Sequence, residues 1–211
     1  MKRSFRHWTF RYIADRTALA LYERFHPNAP WLTRQAVDFL ANWLRPNDSG
    51  LEWGSGRSTV WFAHRVSRLM SIEHNKSWHD VVKSMLAERS LGNVDYRYHA
   101  ADPARETGSL THPYVTAGAQ LPAESADFVL VDGAYRDCCA AIALSRVKPG
   151  GIIIVDNVNW FLPHASRSPS SILQDKKPVT PLWQEFQHMV ENWRSYWTSN
   201  GVTDTAIFFK P

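Results

Sequence analysis

Four short stretches set reactive or ligand-binding groups at the ends of apolar runs. In Gly50-Leu51-Glu52-Trp53-Gly54-Ser55-Gly56-Arg57-Ser58-Thr59, a carboxylate stands two residues ahead of a glycine turn, and a helix-compatible run follows. Glycines let a backbone approach a ligand closely and take up dihedrals that a Cβ forbids. A helix opening there would point free N–H groups into the turn. A dinucleotide site would read G-x-G-x-x-G, with pyrophosphate on the helix N-terminus. Here the third glycine position is Thr59, and Glu52 would set negative charge beside that anion. A ligand with an ammonium group and no phosphate suits the turn better. In the second stretch, Ser71-Ile72-Glu73-His74-Asn75, Glu73 ends the apolar run with a carboxylate that can accept from both hydroxyls of a ribose, and His74 is placed to stack on or bond to the same ligand. The third and fourth are Asp132, after an apolar run from Ala126, and Asp156-Asn157, after Ile152-Ile153-Ile154-Val155.

Positioning these groups takes an alternation of strands and helices. Residues 51–54, 69–73, 94–98, 126–132 and 152–156 read as five strands, and 58–66, 78–90 and 138–147 as helices between them. The unbroken apolar runs belong to parallel strands covered on both faces. A helix over 182–192 leads to two strands, 194–199 and 205–210, joined by the tight-turn pair Asn200-Gly201. Ahead of this array, 9–26 has helical apolar spacing (Phe10, Ile13, Ala14, Ala18, Leu21, Tyr22), and 30–44 reads as a second helix stopped by Pro46. Residues 1–49 thus form a helical segment before a ligand-binding domain at 50–211. Two stretches lack periodicity, 103–125 and 160–181. Loops this long in a compact domain are usually functional, and the second leaves directly after Asp156-Asn157.

S-adenosylmethionine (SAM) is a ligand with an ammonium group and no phosphate. The E-x-G-x-G turn resembles the first motif of class I SAM-dependent methyltransferases, and five β–α units followed by a hairpin resemble the element order of that family over Gly50 to Lys210. The resemblance implies an α/β fold: a Rossmann-like open sheet, mostly parallel, with an antiparallel C-terminal hairpin and helices on both faces. It implies that Gly54, Ser55 and Gly56 cradle the methionine end of SAM, with Ser58 and Thr59 opening the helix. Glu52 would attract the ammonium group, Glu73 the ribose, and Asp102 the adenine amino group; Asp102 reads equally well as a turn cap ahead of Pro103. In that fold Asp132 and Asp156-Asn157 end neighbouring strands. Catechol-type O-methyltransferases resemble this, with Asp at the first position and Asp-Asn at the second. Three converging oxygens suit a divalent ion such as Mg²⁺, which would lower the pKa of an acceptor hydroxyl and orient it. The same trio could instead bond to SAM and local backbone with no metal. The lysine base expected three residues after the first Asp is replaced by Tyr135, with Arg136 beside it. Tyrosine acts as a base only with a depressed pKa, and His164 in the second long loop is a substitute. The function so implied is SAM-dependent O-methylation of a small-molecule acceptor. Two alternatives remain: a methyltransferase fold that binds without turnover, and a nicotinamide oxidoreductase, which Glu52 and Thr59 disfavour.

Composition narrows the classes further. With 211 residues the chain can bury a sizeable core. Cys138 and Cys139 are adjacent and outside any disulfide framework; buried packing suits them. No charge-free apolar run reaches the roughly 20 residues that span a bilayer, and Asp15, Arg16 and Glu23 interrupt any secretory apolar core. A cytoplasmic protein is expected. The net charge of +4 falls wholly in residues 1–25, where Lys2, Arg3, Arg6, Arg11, Arg16 and Arg24 face Asp15 and Glu23. No basic stripe suggests nucleic acid. The basic amphipathic start is either a solvated helix face or a contact for an anionic membrane. Oligomeric state is not legible.

Overall fold

Apolar runs without a polar break need cover on both faces. The computed structural model, which describes residues 8–101 and 109–211, provides it. The strands are β1 (Ser49–Trp53), β2 (Arg68–Glu73), β3 (Val94–Tyr98), β4 (Ala126–Val131), β5 (Val147–Asp156), β6 (Arg194–Ser199) and β7 (Asp204–Phe209). They form one sheet in the order β3-β2-β1-β4-β5-β7-β6. β1 to β5 are parallel to their neighbours, while β7 is antiparallel to both β5 and β6. The helices are α1 (Phe10–Phe25), α2 (Arg34–Trp43), α3 (Arg57–Ala63), α4 (Lys76–Glu88), α5 (Pro113–Gly118), α6 (Arg136–Arg146) and α7 (Pro181–Val190), with a 3₁₀ turn at Val158–Trp160.

Side-chain alternation along the strands divides the core in two. Trp53, Val131, Val155 and Phe208 face α5, α6 and α7. Phe128, Leu130, Ile154 and Ile207 face α2 and α3. A smaller cluster of Val60, Val82 and Leu86 joins α3 to α4. α2 is part of this core: Ala36 and Leu40 are fully buried. Just before it, the Thr33 N–H donates to Thr205 Oγ1 at 3.1 Å, and the Thr33 hydroxyl meets Thr198 Oγ1 at 2.5 Å. α1, by contrast, buries none of its residues.

Two elements differ from the pattern read in the sequence. α5 lies inside the stretch without periodicity, because six residues are too few to display a period; His112 caps it and Pro113 opens it. β5 starts at Val147 rather than after Pro149-Gly150-Gly151. Val147 already pairs with Ala126, and the register shifts before Phe128 meets Ile152, so the glycines sit at an irregularity inside the strand. Gly150 takes φ +78°, its N–H donates to the Lys210 carbonyl, and the Lys210 N–H donates to Gly151.

Candidate cofactor cleft and its acceptor side

The carboxyl ends of β1, β2 and β4 meet around the glycine turn. Gly54 has φ +89°, and a Cβ there would overlap the Asp132 carbonyl oxygen. The two chain ends are tied by Gly54 N–H to Ile72 O (2.9 Å) and Asp132 N–H to Trp53 O (2.8 Å). A cleft of about 670 Å³ opens above them, with Gly54, Ser55, Glu73, His74, Trp78 and Asp132 among its walls. Trp78 fixes the turn from the side by donating Nε1–H to the Ser55 carbonyl at 2.8 Å. Trp31 stacks near Trp78 (centroids 6.1 Å, 16° between planes), and the Arg57 guanidinium lies over the Trp31 ring, 5.2 Å from its centroid.

Glu52 is not in this cleft. It is fully buried beneath the turn, accepting from Ser58 Oγ (2.5 Å) on one oxygen and from Thr59 Oγ1 and Ser71 Oγ (each 2.6 Å) on the other. Of the expected cofactor residues, Glu52, Ser58 and Thr59 are hydrogen-bonded to one another beneath the turn. Of the two ways Glu52 could attract the ammonium group, directly or through water, the direct one is therefore corrected. The strand pleat points Glu52 away from the cleft, and the two hydroxyls of α3 close over it. Thr59 Oγ1 also accepts from the Gly56 N–H at 2.9 Å, so the carboxylate braces the turn through a relay. Burial pushes the Glu52 pKa up to about 7, against the lowering effect of the three hydroxyls.

Glu73 ends β2 at the wall of the cleft. One oxygen accepts from the Ser55 N–H (2.9 Å) and hydroxyl (2.7 Å), the other from the N–H groups of His74 (2.9 Å) and Asn75 (2.7 Å). These fill its lone-pair sites, and Ser55 Oγ is itself shared between Glu73 and Tyr96 Oη, each at 2.7 Å. Beside it, His74 Nδ1 lies 3.2 Å from Glu73 Oε1, and the buried Tyr114 Oη has no hydrogen-bond partner. The Tyr114 hydroxyl lies under Gly133, where a Cβ would collide with it. Burial raises its pKa, as do Cys139, Glu73 and Asp132 nearby.

The acidic trio holds a cation of its own. Arg136 donates Nε–H to the Gly133 carbonyl (3.0 Å) and Nη1 to both the Asp156 carbonyl (2.6 Å) and Asn157 Oδ1 (3.1 Å). Its Nη2 pairs with Asp132 Oδ1 at 2.7 Å. Asp156 is turned away, accepting from Thr205 Oγ1 at 2.8 Å, and Asn157 Nδ2 donates to Thr203 Oγ1 at 2.5 Å. Burial and the Asp132 charge raise the Asp156 pKa, which Arg136 opposes. Asp132, Asp156 and Asn157 do not fit a Mg²⁺ ion: the Asp156 carboxylate points away to Thr205, and the guanidinium takes Asp132 Oδ1 and Asn157 Oδ1 for itself. That reading is corrected. Arg136 is the functional residue the sequence reading left aside, and its signal was the i, i+4 spacing from Asp132.

The two base candidates fall in different places. Tyr135 takes left-handed dihedrals (φ 49°, ψ 44°) ahead of α6 and is buried among rings, with His112 at 5.0 Å and Tyr114 at 6.4 Å. His164 stacks on Trp197 (centroids 4.0 Å, 7°) and opens onto a separate cavity beside Asp204; burial lowers its pKa. His164 is remote from the cleft, whereas Tyr135 is among the walls of the cavity that adjoins it. Asp102 lies outside the described residues. The adjoining cavity, of about 320 Å³, shares Gly133 and Arg136 with the cleft and is walled by Trp160, Phe161 and Trp183.

No family model and no curated protein matches the sequence. Solved structures do match. A Staphylococcus aureus protein proposed to be a caffeoyl-CoA O-methyltransferase superposes with a TM-score of 0.56 at 18% identity, over 98% of this chain and 95% of that one. A proposed methyltransferase from Streptococcus mutans, in complex with S-adenosylhomocysteine (SAH), gives 0.54 at 12% identity, over 82% and 94%. An rRNA methylase from Streptococcus thermophilus gives 0.51 at 10% identity, over 83% and 93%. The chain has the fold of class I methyltransferases: a seven-stranded, mostly parallel sheet with an antiparallel C-terminal hairpin. The acceptors named for these neighbours differ in kind, so the fold does not choose one.

Proposed function

We propose that this chain, built on the class I methyltransferase fold, transfers the methyl group of SAM to an oxygen of a small acceptor without a metal ion. The carrying observation is that one cleft gathers the strained glycine turn and the Glu73 and Asp132 carboxylates, with the unpartnered Tyr114 hydroxyl beneath Gly133 at its floor. These fit SAM: Gly54 and Ser55 admit the methionine end, and Glu73 receives the ribose once Ser55 Oγ rotates away. Asp132, one-third exposed in the cleft, takes the ammonium role that the enclosed Glu52 leaves open. His74 and Tyr114 offer polar atoms from below.

When bound, SAM supplies an electrophilic methyl group; the acceptor oxygen bonds to it as the carbon–sulfur bond breaks, and the electron pair stays on sulfur. The aromatic cavity suits a flat acceptor. Among the described residues, its walls include no lysine or histidine that could serve as a base, and Asp137 is already bonded to Thr180 Oγ1 at 3.0 Å. An acceptor oxygen that is ionised at neutral pH, a carboxylate or an acidic phenol, needs no base. Arg136 has five N–H donors, four of them engaged as described, and the fifth is available to that anion.

Calorimetric titration with SAH, then with SAM, both in EDTA, tests the reading. Binding of both, with NAD(P)H failing to bind, supports it, and turnover on aromatic carboxylates completes it. No binding of either would sink it. Binding with no turnover on any acceptor would favour the alternative, a methyltransferase fold that binds without reacting, for which the fully occupied Glu73 oxygens are the supporting observation.

A further inference from the structure

Helix α1 reverses the usual disposition of a surface helix. Phe10, Ile13, Leu21 and Phe25 fall on one stripe, with Ala14, Thr17 and Ala18 between them, and the four are 95%, 46%, 51% and 72% exposed. Trp8, just ahead, is 55% exposed. The face turned to the body carries Tyr12, Asp15, Leu19 and Tyr22, and Asp15 lies against Gly201 in the β6–β7 turn. A soluble amphipathic helix turns its apolar stripe inward; this one turns it outward.

Charge flanks the stripe. Arg11 is paired with Asp15 (3.7 Å), leaving Arg16 and Arg24 exposed against Glu23. Lys2, Arg3 and Arg6 precede the helix, and the rest of the chain carries no net charge. We infer that α1 docks on an anionic lipid bilayer, its apolar stripe at the acyl boundary and its arginines among phospholipid headgroups. A second copy of the chain on this face would set the same arginines against each other, which like-charge repulsion disfavours. The dock is placed to matter. Thr205 pairs with Asp156, so the β6–β7 turn that α1 covers lies at the carboxyl edge of the sheet, the edge that carries the cleft.

Co-sedimentation of the full chain with phosphatidylcholine vesicles, with and without phosphatidylglycerol, tests this. Binding is expected only with phosphatidylglycerol and should fall steeply with added salt. The triple variant Phe10→Glu, Leu21→Glu, Phe25→Glu, whose side chains are exposed and whose folding is checked by its unfolding midpoint, should lose affinity by on the order of tenfold per phenylalanine. Arg16→Glu with Arg24→Glu should lose on the order of fivefold per charge. Equal binding to both vesicle types, binding unchanged in the triple variant, or no binding at all would overturn the inference. So would a dimer in sedimentation equilibrium, without vesicles, that the triple variant dissolves, since the face would then join two copies of the chain.

Discussion

β1 and β4 are neighbours in the sheet, and each ends in a carboxylate near the same turn, yet Glu52 and Asp132 are held in opposite ways. Glu52 is sealed from water with three hydroxyl donors and no cation. Asp132 stands at the rim, one-third exposed, against a guanidinium. The pleat decides which: Glu52 points to the α3 face, while Asp132 falls just beyond the last residue of its strand. One carboxylate braces the backbone, and the other remains available to a ligand.

The widest separation between the two halves should come from Arg136→Ala. It strips the countercharge from Asp132 and leaves the buried Asp156 beside it, so denaturant unfolding should show a loss of about 3 kcal/mol, and methyl transfer should disappear. Arg136→Lys should recover part of the stability, because a lysine ammonium cannot satisfy four acceptors in one plane. Stability equal to the parent would mean that Arg136 does not organise this end of the sheet.

Glu52 should announce itself through pH. Its pKa is near 4.5 in the unfolded chain and about 7 in the folded one, so the folded state binds the extra proton between those values. Its contribution is therefore nil below about pH 4.5, grows unfavourable as pH rises from there to 7, and levels off above 7 at a cost of about 3 kcal/mol. Glu52→Gln removes this dependence, and the stability difference between variant and parent should change across that window. A constant difference from pH 4.5 to 8 would show that Glu52 ionises normally.

Smaller effects belong to the cofactor side. Glu73→Gln should weaken SAH binding about tenfold and leave metal sensitivity absent, since EDTA should alter neither parent nor variant. Ser55→Ala should change SAH affinity by less than about fivefold, as it deletes one hydroxyl that the ligand must displace in any case.

The sheet was legible because its signals are long and redundant. Ile152 to Val155 or Phe128 to Val131 can only be buried strands, and Asn200-Gly201 can only be a turn between strands of that length. The ends of the strands were legible as positions but not as roles. Whether Glu52 meets a ligand depends on which face of β1 it takes and on Ser58 and Ser71 arriving from other elements. The metal reading failed for a related reason: Asp132 and Asp156-Asn157 do end adjacent strands, but a helix residue four positions on reaches back between them. His164 shows the limit for loops, where a single stacking contact with Trp197 sets the side chain's place and no periodicity foretells it.

The threonine contact between the two ends of the chain bears on how the protein is made. Thr33 donates to a residue 172 positions later, and α2 lays Ala36 and Leu40 against a sheet face completed by Ile207. During synthesis the early helix has no finished surface to rest on until the last hairpin has left the ribosome. Contacts between segments so far apart in sequence close late, and a nascent chain stalled before β7 would leave part of that apolar face uncovered.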